Sequence, residues 1–444
     1  LVGNTNSIDF PVENAYCDTF QNSTDCFVMC LDASSFEVLF STYFGGDNVD
    51  TGEAIFVDDE GSVYITGETN SNNFPLKSSF GNLSSYNDVY VAKLNSSGCG
   101  LIYSSVIGGN TGGEVGLAIV GDSQHNVYVA GITTSEDFPT VNAYNATSNP
   151  VGPGYRNEGV IFCLNTSGNG MIFSTYLGGI QSETFYDIAL DSNNDVWVCG
   201  LTESPDFPLV DEIMVYQNDL DGIIFELSSN GSELLFSSYI GGSDRDVCNS
   251  LGIDERDNVY VCGYAISDNF PLHLAPSNLY STSRFSGSDG FLMKICPEKS
   301  ILYSTRFGDT GSDSCKSLAI GRNGAVFVGG STTSENFPLR REISGPSSDI
   351  VSRNDGFALV LLDISDEDGD AFPNWWELVN GYDPLNPNVP VTEILHWYAP
   401  VILIGVSITF LVIILILGRH RIKSWIGRNK PGYGLPSTIE KRNE

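Results

Sequence analysis

Short apolar runs recur along most of the chain, each bounded by Gly, Asn, Asp and Ser. In one stretch they cover residues 53–58, 63–67, 88–94 and 101–107 and are rich in Val, Ile, Tyr and Phe. Runs of this length between turn formers read as β-strands. Asp59-Glu60-Gly61 and Asn95-Ser96-Ser97-Gly98 make two of the connections tight. Several runs are apolar at successive positions instead of alternating, as expected of a sheet covered on both faces.

The same pattern returns in phase. Phe-Pro pairs begin at Phe10, Phe74, Phe138, Phe207, Phe270 and Phe337, at spacings of 64, 64, 69, 63 and 67. The run Phe40-Ser-Thr-Tyr-Phe-Gly-Gly46 returns from Tyr103, Phe173, Phe236 and, imperfectly, Tyr303. Val63-Tyr-Ile-Thr-Gly67 returns from Val127, Val196, Val259 and Val326, and an Asp-Gly strand start stands at Asp221, Asp289 and Asp355. Four strands per unit, repeated about six times, predict an all-β fold: a β-propeller of about six four-stranded blades over residues 1–362, six or seven in the full-length protein. An open β-solenoid is the alternative, but its coils are usually shorter than this repeat. Leu1-Val2-Gly3 matches the end of a second strand, and strand 355–362 has no Ser-Thr-Tyr run after it, so the array is expected to begin and stop inside a unit. The chain shows no initiator Met and no signal peptide, and a further segment upstream is expected.

These landmarks resemble the SBBP β-propeller repeat. Its pattern of Tyr-Ser-Thr-Tyr-Leu-Gly-Gly, an Ala-Val-Asp turn, Val-Tyr-Val-Thr-Gly and Asp-Phe-Pro is matched by Phe173-Ser-Thr-Tyr-Leu-Gly-Gly179, Ile188-Ala-Leu-Asp191, Val196-Trp-Val-Cys-Gly200 and Asp206-Phe-Pro208. The resemblance implies a propeller of the kind found on bacterial or archaeal surface proteins, and no defined reaction.

Beyond the repeats, residues 363–395 read as a Pro/Asn-rich linker that opens on a calcium loop. Asp366, Asp368, Asp370, Asn374 and Glu377 fall at loop positions 1, 3, 5, 9 and 12, with the Phe372 carbonyl at 7. That spacing gathers hard oxygens around one Ca²⁺. The run resembles the calcium loops of thrombospondin type 3 repeats, which often continue with Trp-Trp-Glu and Gly-x-Asp-Pro, here Trp375-Trp376-Glu377 and Gly381-Tyr382-Asp383-Pro384. It departs from them at Ala371, where the turn usually has Gly. An acidic linker is the alternative reading. Residues 396–418 predict one transmembrane helix, since Pro400 to Gly418 is uncharged and mainly apolar. At helical rise that run spans roughly 28 Å, close to a hydrocarbon core. Trp397 and Tyr398 suit the outer interface, and Arg419, Arg421 and Lys423 place a basic tail, 419–444, in the cytoplasm.

Charge divides the chain in the same way. Residues 1–418 hold 14 Lys and Arg against 53 Asp and Glu, and residues 419–444 hold 7 against 2. An acidic ectodomain repels phosphate backbones, which excludes nucleic acid as a partner. Ten cysteines, with sequons at Asn22, Asn82, Asn95, Asn145, Asn165 and Asn230, fit an oxidising extracellular setting. Cys199 is equivalent to Cys262, and Cys248 to Cys315. Cys248 and Cys262 fall on neighbouring strands of one unit, so a structural disulfide is expected before a metal cluster.

No nucleophile elbow, zinc-helix or phosphate-loop motif occurs. His125 and His273 occupy non-equivalent positions and read as surface histidines. The acids after Gly-Gly, Asp47 with Asp50, Asp244 with Asp246 and Asp309 with Asp313, read as turn caps before a cation-binding rim. The expected protein is a single-pass, cell-surface propeller with its tail cytoplasmic, recognising an extracellular protein or glycan or serving the envelope, on a calcium-stiffened stalk. The alternative is an ectoenzyme acting on glycans as a hydrolase or lyase.

Overall fold

The computed structural model describes residues 1–361 except 22, 150–155, 218–219, 274–286, 322–324, 335–336 and 338–354, together with 382–383 and 386–390. Within them the chain forms a six-bladed β-propeller. Blade 1 holds β1 (Val2–Thr5), β2 (Asp25–Leu31) and β3 (Val38–Phe44), and blade 2 holds β4 (Asp50–Val57), β5 (Val63–Thr69), β6 (Asp88–Leu94) and β7 (Leu101–Ile107). Blade 3 is built from β8 (Glu114–Gly121), β9 (Val127–Thr133), β10 (Glu158–Leu164) and β11 (Met171–Leu177), and blade 4 from β12 (Glu183–Leu190), β13 (Val196–Thr202), β14 (Asp221–Leu227) and β15 (Leu234–Ile240). Blade 5 has β16 (Asp246–Ile253), β17 (Val259–Ala265), β18 (Asp289–Ile295) and β19 (Ile301–Phe307), and blade 6 has β20 (Asp313–Ile320), β21 (Val326–Thr332) and β22 (Asp355–Leu361). Every blade is an antiparallel meander. A separate hairpin joins β23 (Tyr382–Asp383) to β24 (Asn386–Pro390).

The predicted strands are present. In blade 2 the first begins at Asp50 instead of 53, because the Asp50 carboxylate accepts from the Thr69 and Ser71 hydroxyls and the Gly52 N–H donates to the Asn4 side chain. The first strands of successive blades touch one another, β4 with β8, β8 with β12, β12 with β16 and β16 with β20, so they surround the axis. Third strands are sandwiched: each residue of β6, β10, β14 and β18 is buried. This explains their lack of alternation. The core lies between blades. Ala118, Tyr128 and Ala130 of blade 3, for example, pack with Phe185, Val198 and Phe225 of blade 4. Burying each such Phe contributes about 1.5–3 kcal/mol.

A β-bulge near the start of every first strand explains one repeated glycine. The register shifts between Gly52 and Ala54, Gly116 and Ala118, Phe185 and Asp187, Cys248 and Ser250, and Cys315 and Ser317. The bulge pushes a carbonyl against the facing second strand. A β-carbon on Gly131 would overlap the Val115 carbonyl, and Gly67, Gly200, Gly263 and Gly330 face the same obstruction. The glycine closing Val-Tyr-Val-x-Gly therefore follows from the bulge.

The Phe-Pro connections begin beside the Gly-Gly turns and then run down the outer edge of the blade. Five of them make one antiparallel bridge each to the fourth strand: Glu13 with Ser41, Lys77 with Ser104, Val141 with Ser174, Val210 with Ser237 and His273 with Ser304. The edge strand is thereby covered, which blocks edge-to-edge association. No helix among the described residues is long and apolar enough to cross a membrane, and the predicted span at 396–418 lies outside them.

Candidate functional site

The face bearing the Gly-Gly turns carries the most repeated polar chemistry. Each first strand opens on an acid, Asp50, Glu114, Glu183, Asp246 or Asp313, and all five are fully buried. Each caps the turn before it. Gly46 N–H donates to Asp50 at 2.6 Å, Gly109 N–H to Glu114 at 3.3 Å, Gly179 N–H to Glu183 at 3.2 Å, Gly242 N–H to Asp246 at 2.6 Å and Asp309 N–H to Asp313 at 3.1 Å. Hydroxyls from the end of the second strand complete the shell: Thr133 to Glu114 at 2.7 Å, Thr202 to Glu183 at 2.8 Å, Ser267 to Asp246 at 2.6 Å and Ser334 to Asp313 at 2.6 Å.

The residue ahead of Phe-Pro locks the turn from outside. Asn73, Asp137, Asp206 and Asn269 accept from the backbone N–H of Asp47, Asn110, Ile180 and Ser243 at 2.7–3.0 Å. The Phe is buried, and its N–H donates to a fourth-strand Tyr: Phe138 to Tyr176 at 2.8 Å and Phe207 to Tyr239 at 3.1 Å. The Tyr hydroxyls donate in turn to the carbonyls of Ser135 and Ser204. The repeat signature is thus one hydrogen-bonded clasp, which answers the question raised by the acids after Gly-Gly. Asp50, Asp246 and Asp313 are turn caps, whereas Asp47 and Asp244 are exposed and Asp309 is half-buried with its backbone N–H on Asp313.

A second buried acid faces each cap, and sequence analysis did not identify it as site chemistry. It opens the third strand of the preceding blade: Asp25, Asp88, Glu158, Asp221 and Asp289. A β-carbon on Gly45 would lie 2.8 Å from Asp25 Oδ1 and 2.8 Å from Asp50 Oδ2. Asp221 and Asp246 flank Gly241 at 2.6 and 2.8 Å, and Asp289 and Asp313 flank Gly308 at 2.5 Å each. The first glycine of Gly-Gly is the gap between two carboxylates. Asp25 Oδ1 and Asp88 Oδ1 accept no hydrogen bond from the described residues.

Burial penalises the charged form, and it is the largest influence on these groups. Glu114, Glu158 and Glu183 are each pushed up to about 7 and Asp289 to about 6, while Asp25, Asp50, Asp88 and Asp246 are also raised. Neighbouring acids add to the rise, Asp88 for Glu114 and Glu183 for Glu158. Beside the Glu158 junction, a cleft lined by Thr133, Ser135, Asn149, Glu158 and Gly179 holds about 20 Å³, room for one water.

The opposite face carries a different acidic group. Asp191, Asp195 and Glu226 bring carboxylate oxygens within 4.8 Å of one another. Lys299, from the hairpin of blade 5, forms an ion pair with Glu226 and lies 4.2 Å from the centre of the Trp197 ring. The cation at this cluster is the protein's own. Blade 2 supplies its charge internally, with Lys93 Nζ 3.2 Å from Asp58 Oδ2. His125 is only partly a surface residue: its Nδ1 lies 3.4 Å from the same Asp58 oxygen, and about 26% of its side chain is exposed. His273 is exposed as expected.

No two of the ten cysteines are joined in this structure, and Cys26, Cys163, Cys199, Cys248, Cys262 and Cys315 are buried. Asp366, Asp368, Asp370, Phe372, Asn374 and Glu377 of the calcium loop lie outside the described residues.

Residues 39–75, 235–271 and 302–338 match the family model described as SBBP, beta-propeller repeat. The chain carries SBBP β-propeller repeats. Each matched segment runs from the Ser-Thr-Tyr strand of one blade to the Phe-Pro of the next, so the SBBP unit is the blade junction and its clasp. No curated protein matches the chain. Among solved structures, a polysaccharide lyase, an ulvan lyase of family PL25, is similar at 11% identity over 69% of this chain and 67% of that one, with a TM-score of 0.36. A protein of unknown function from Dyadobacter fermentans DSM 18053 is similar at 12% identity over 69% and 81%, also at 0.36. A luciferin-regenerating enzyme follows at 12% identity over 72% and 92%, at 0.29. Likeness at this level decides nothing about chemistry.

Proposed function

We propose that this protein is a membrane-anchored, cell-surface recognition propeller, non-enzymatic in its repeats, which presents the Gly-Gly face to an extracellular protein or glycan. One observation carries the reading. A buried acid caps the turn at each of the five described junctions, but the turn tips it holds are exposed and different: Asp47, Asn48 and Val49, then Asn110 and Thr111, then Ile180, then Ser243, Asp244 and Arg245. Fixed frames with varied tips suit binding. The tips include apolar and charged side chains side by side, as contact surfaces do.

The apolar run 400–418 anchors the chain, and the basic residues after it hold the tail in the cytoplasm. Between propeller and anchor, Asp366, Asp368, Asp370, Asn374, Glu377 and the Phe372 carbonyl form an all-oxygen donor set that suits Ca²⁺. The ion stiffens the stalk. Exposed Asn82 and Asn230 are suited to carry glycans.

The test uses the full chain displayed on cells, applied to glycan and extracellular-protein arrays beside an assay for polysaccharide cleavage. Saturable binding without turnover is expected, and it should weaken when Asp244 and Arg245 are both changed to Ala. Turnover would replace this reading with that of an ectoenzyme, and a chain that never reaches the outer surface would overturn it.

A further inference from the structure

The five blade junctions compare one position with itself. A residue in the second strand of one blade meets a residue at the bulge in the first strand of the next. At the first junction these are Val2 and Gly52, where a β-carbon on Gly52 would lie 2.6 Å from Val2 Cγ2. At the second they are Thr66 and Gly116, and Thr66 Oγ1 comes closer still. The β-carbons of this pair of positions therefore stand within about 4 Å, the separation a disulfide spans. At the third junction the pair is Ala130 and Phe185, a small residue facing a large one in one core cluster.

At the fourth junction the pair is Cys199 and Cys248, and at the fifth it is Cys262 and Cys315. Each pair shares one buried cluster. Cysteine occupies both positions of a junction or neither. The Sγ atoms of Cys248 and Cys315 project into the preceding blade, 2.7 Å and 3.1 Å from β-carbons built on Gly222 and Gly290. The thiol of Cys262 interacts directly with that of Cys315, and Cys199 is influenced by Cys248.

Pairing within blade 5, suggested by the neighbouring strands of Cys248 and Cys262, meets an obstacle. In the β16–β17 register Cys248 faces Gly263, and Cys262 faces Ser250. Successive residues of a strand point to opposite faces. Cys248 therefore points to blade 4 and Cys262 to blade 6, as their separate clusters confirm.

We propose that Cys199–Cys248 and Cys262–Cys315 are inter-blade disulfides that staple blades 4, 5 and 6 in series. Each closes by thiol–disulfide exchange with an oxidised oxidoreductase or glutathione. The two thiols give up two protons and two electrons as their S–S bond forms, and the incoming disulfide leaves as two thiols. Closure occurs while the blades dock, because the finished interface buries all four sulfurs. The pairing rests on junction geometry, and its formation in cells rests on the extracellular placement proposed above.

The full 444-residue chain is trapped on displaying cells with an alkylating reagent in denaturant, without reductant, then digested and weighed. Peptides joined through Cys199–Cys248 and Cys262–Cys315 are expected, each separating on reduction. Cys248→Ala should leave Cys199 open to alkylation and Cys262–Cys315 intact. In a second arm the reduced, purified chain is incubated with a glutathione redox buffer. The same two bonds there, with thiols in cells, would uphold the pairing and overturn the extracellular placement. Four alkylated cysteines in both arms, or a Cys248–Cys262 bond in either, overturns the pairing.

Discussion

Arg306 Nε lies 3.7 Å from Asp289 Oδ2, and both side chains are about 5% exposed or less. The same guanidinium donates to the Ser267 carbonyl at 2.6 Å. At the equivalent places in blades 3 and 4, Tyr176 and Tyr239 donate their hydroxyls to the carbonyls of Ser135 and Ser204 at 2.9 and 2.8 Å. In blade 5 the chain thus exchanges a phenol for a cation, keeps the carbonyl bond and adds a charge beside one buried acid.

That exchange predicts a ranking. Arg306→Ala removes both the charge and the carbonyl bond and leaves Asp289 buried beside Asp313, at a cost of about 3–5 kcal/mol. Arg306→Tyr restores the donor found in blades 3 and 4, and the cost should fall to about half or less of that figure. Denaturant midpoints of the two variants check the order, and equal losses would remove the assigned role of the carbonyl bond.

The paired acids predict a pH dependence. Glu114, Glu158 and Glu183 are raised by burial from 4.5 to about 7, and Asp289 from 3.8 to about 6. A raised acid binds its proton more tightly in the folded state, so its stabilisation is complete below the unfolded value and is lost as pH rises through the folded one. The melting temperature should therefore fall between about pH 5 and pH 8. Glu183→Gln, which mimics the protonated acid, should flatten the fall. A melting temperature that rises over this interval would contradict the assignment.

Gly131 faces the bulge carbonyl of Val115. Gly131→Ala forces backbone to move against backbone and should cost about 3 kcal/mol or more. Gly113→Ala is the control, since a β-carbon there meets nothing nearer than 3.5 Å. Its cost should stay below about 1 kcal/mol, because no overpacking arises. Thermal unfolding of the two variants measures the difference.

The stalk proposal predicts one removable Ca²⁺. Asp368→Ala with Asp370→Ala deletes two carboxylates from the loop, and calorimetry on the full chain should show one fewer Ca²⁺ taken up. Proteolysis in the linker should quicken, and the propeller melting temperature should not change. Uptake equal to the parent's would leave the loop an acidic spacer.

Much of the fold was legible because its determinants repeat. Phe-Pro, Gly-Gly and Val-Tyr-Val-x-Gly mark local geometry, a clasp, a turn and a bulge partner, and each leaves the same residues at the same spacing. The turn-cap role of Asp50, Asp246 and Asp313 followed from the same local logic, since each acid lies within a few residues of the turn it caps. Of their partners, Asp221 and Asp289 were visible as strand starts and Asp25 was not, and nothing along the chain says that a third strand of one blade opens beside the first strand of the next. His125 shows the same limit, because its Asp58 neighbour comes from another blade.

By itself the sequence determined the strand pattern, the blade unit and the residues that close each turn, because these depend on contacts a few residues apart or on a repeat that reports its own period. Which buried groups meet was decided only by the tertiary structure. Blade docking brings Asp25 to Asp50 and Cys262 to Cys315, and it turns Cys248 and Cys262 to opposite faces of one sheet. The direction of a side chain across a junction depends on how the bulge shifts the strand and how two sheets stack, and neither is written in the spacing of the residues.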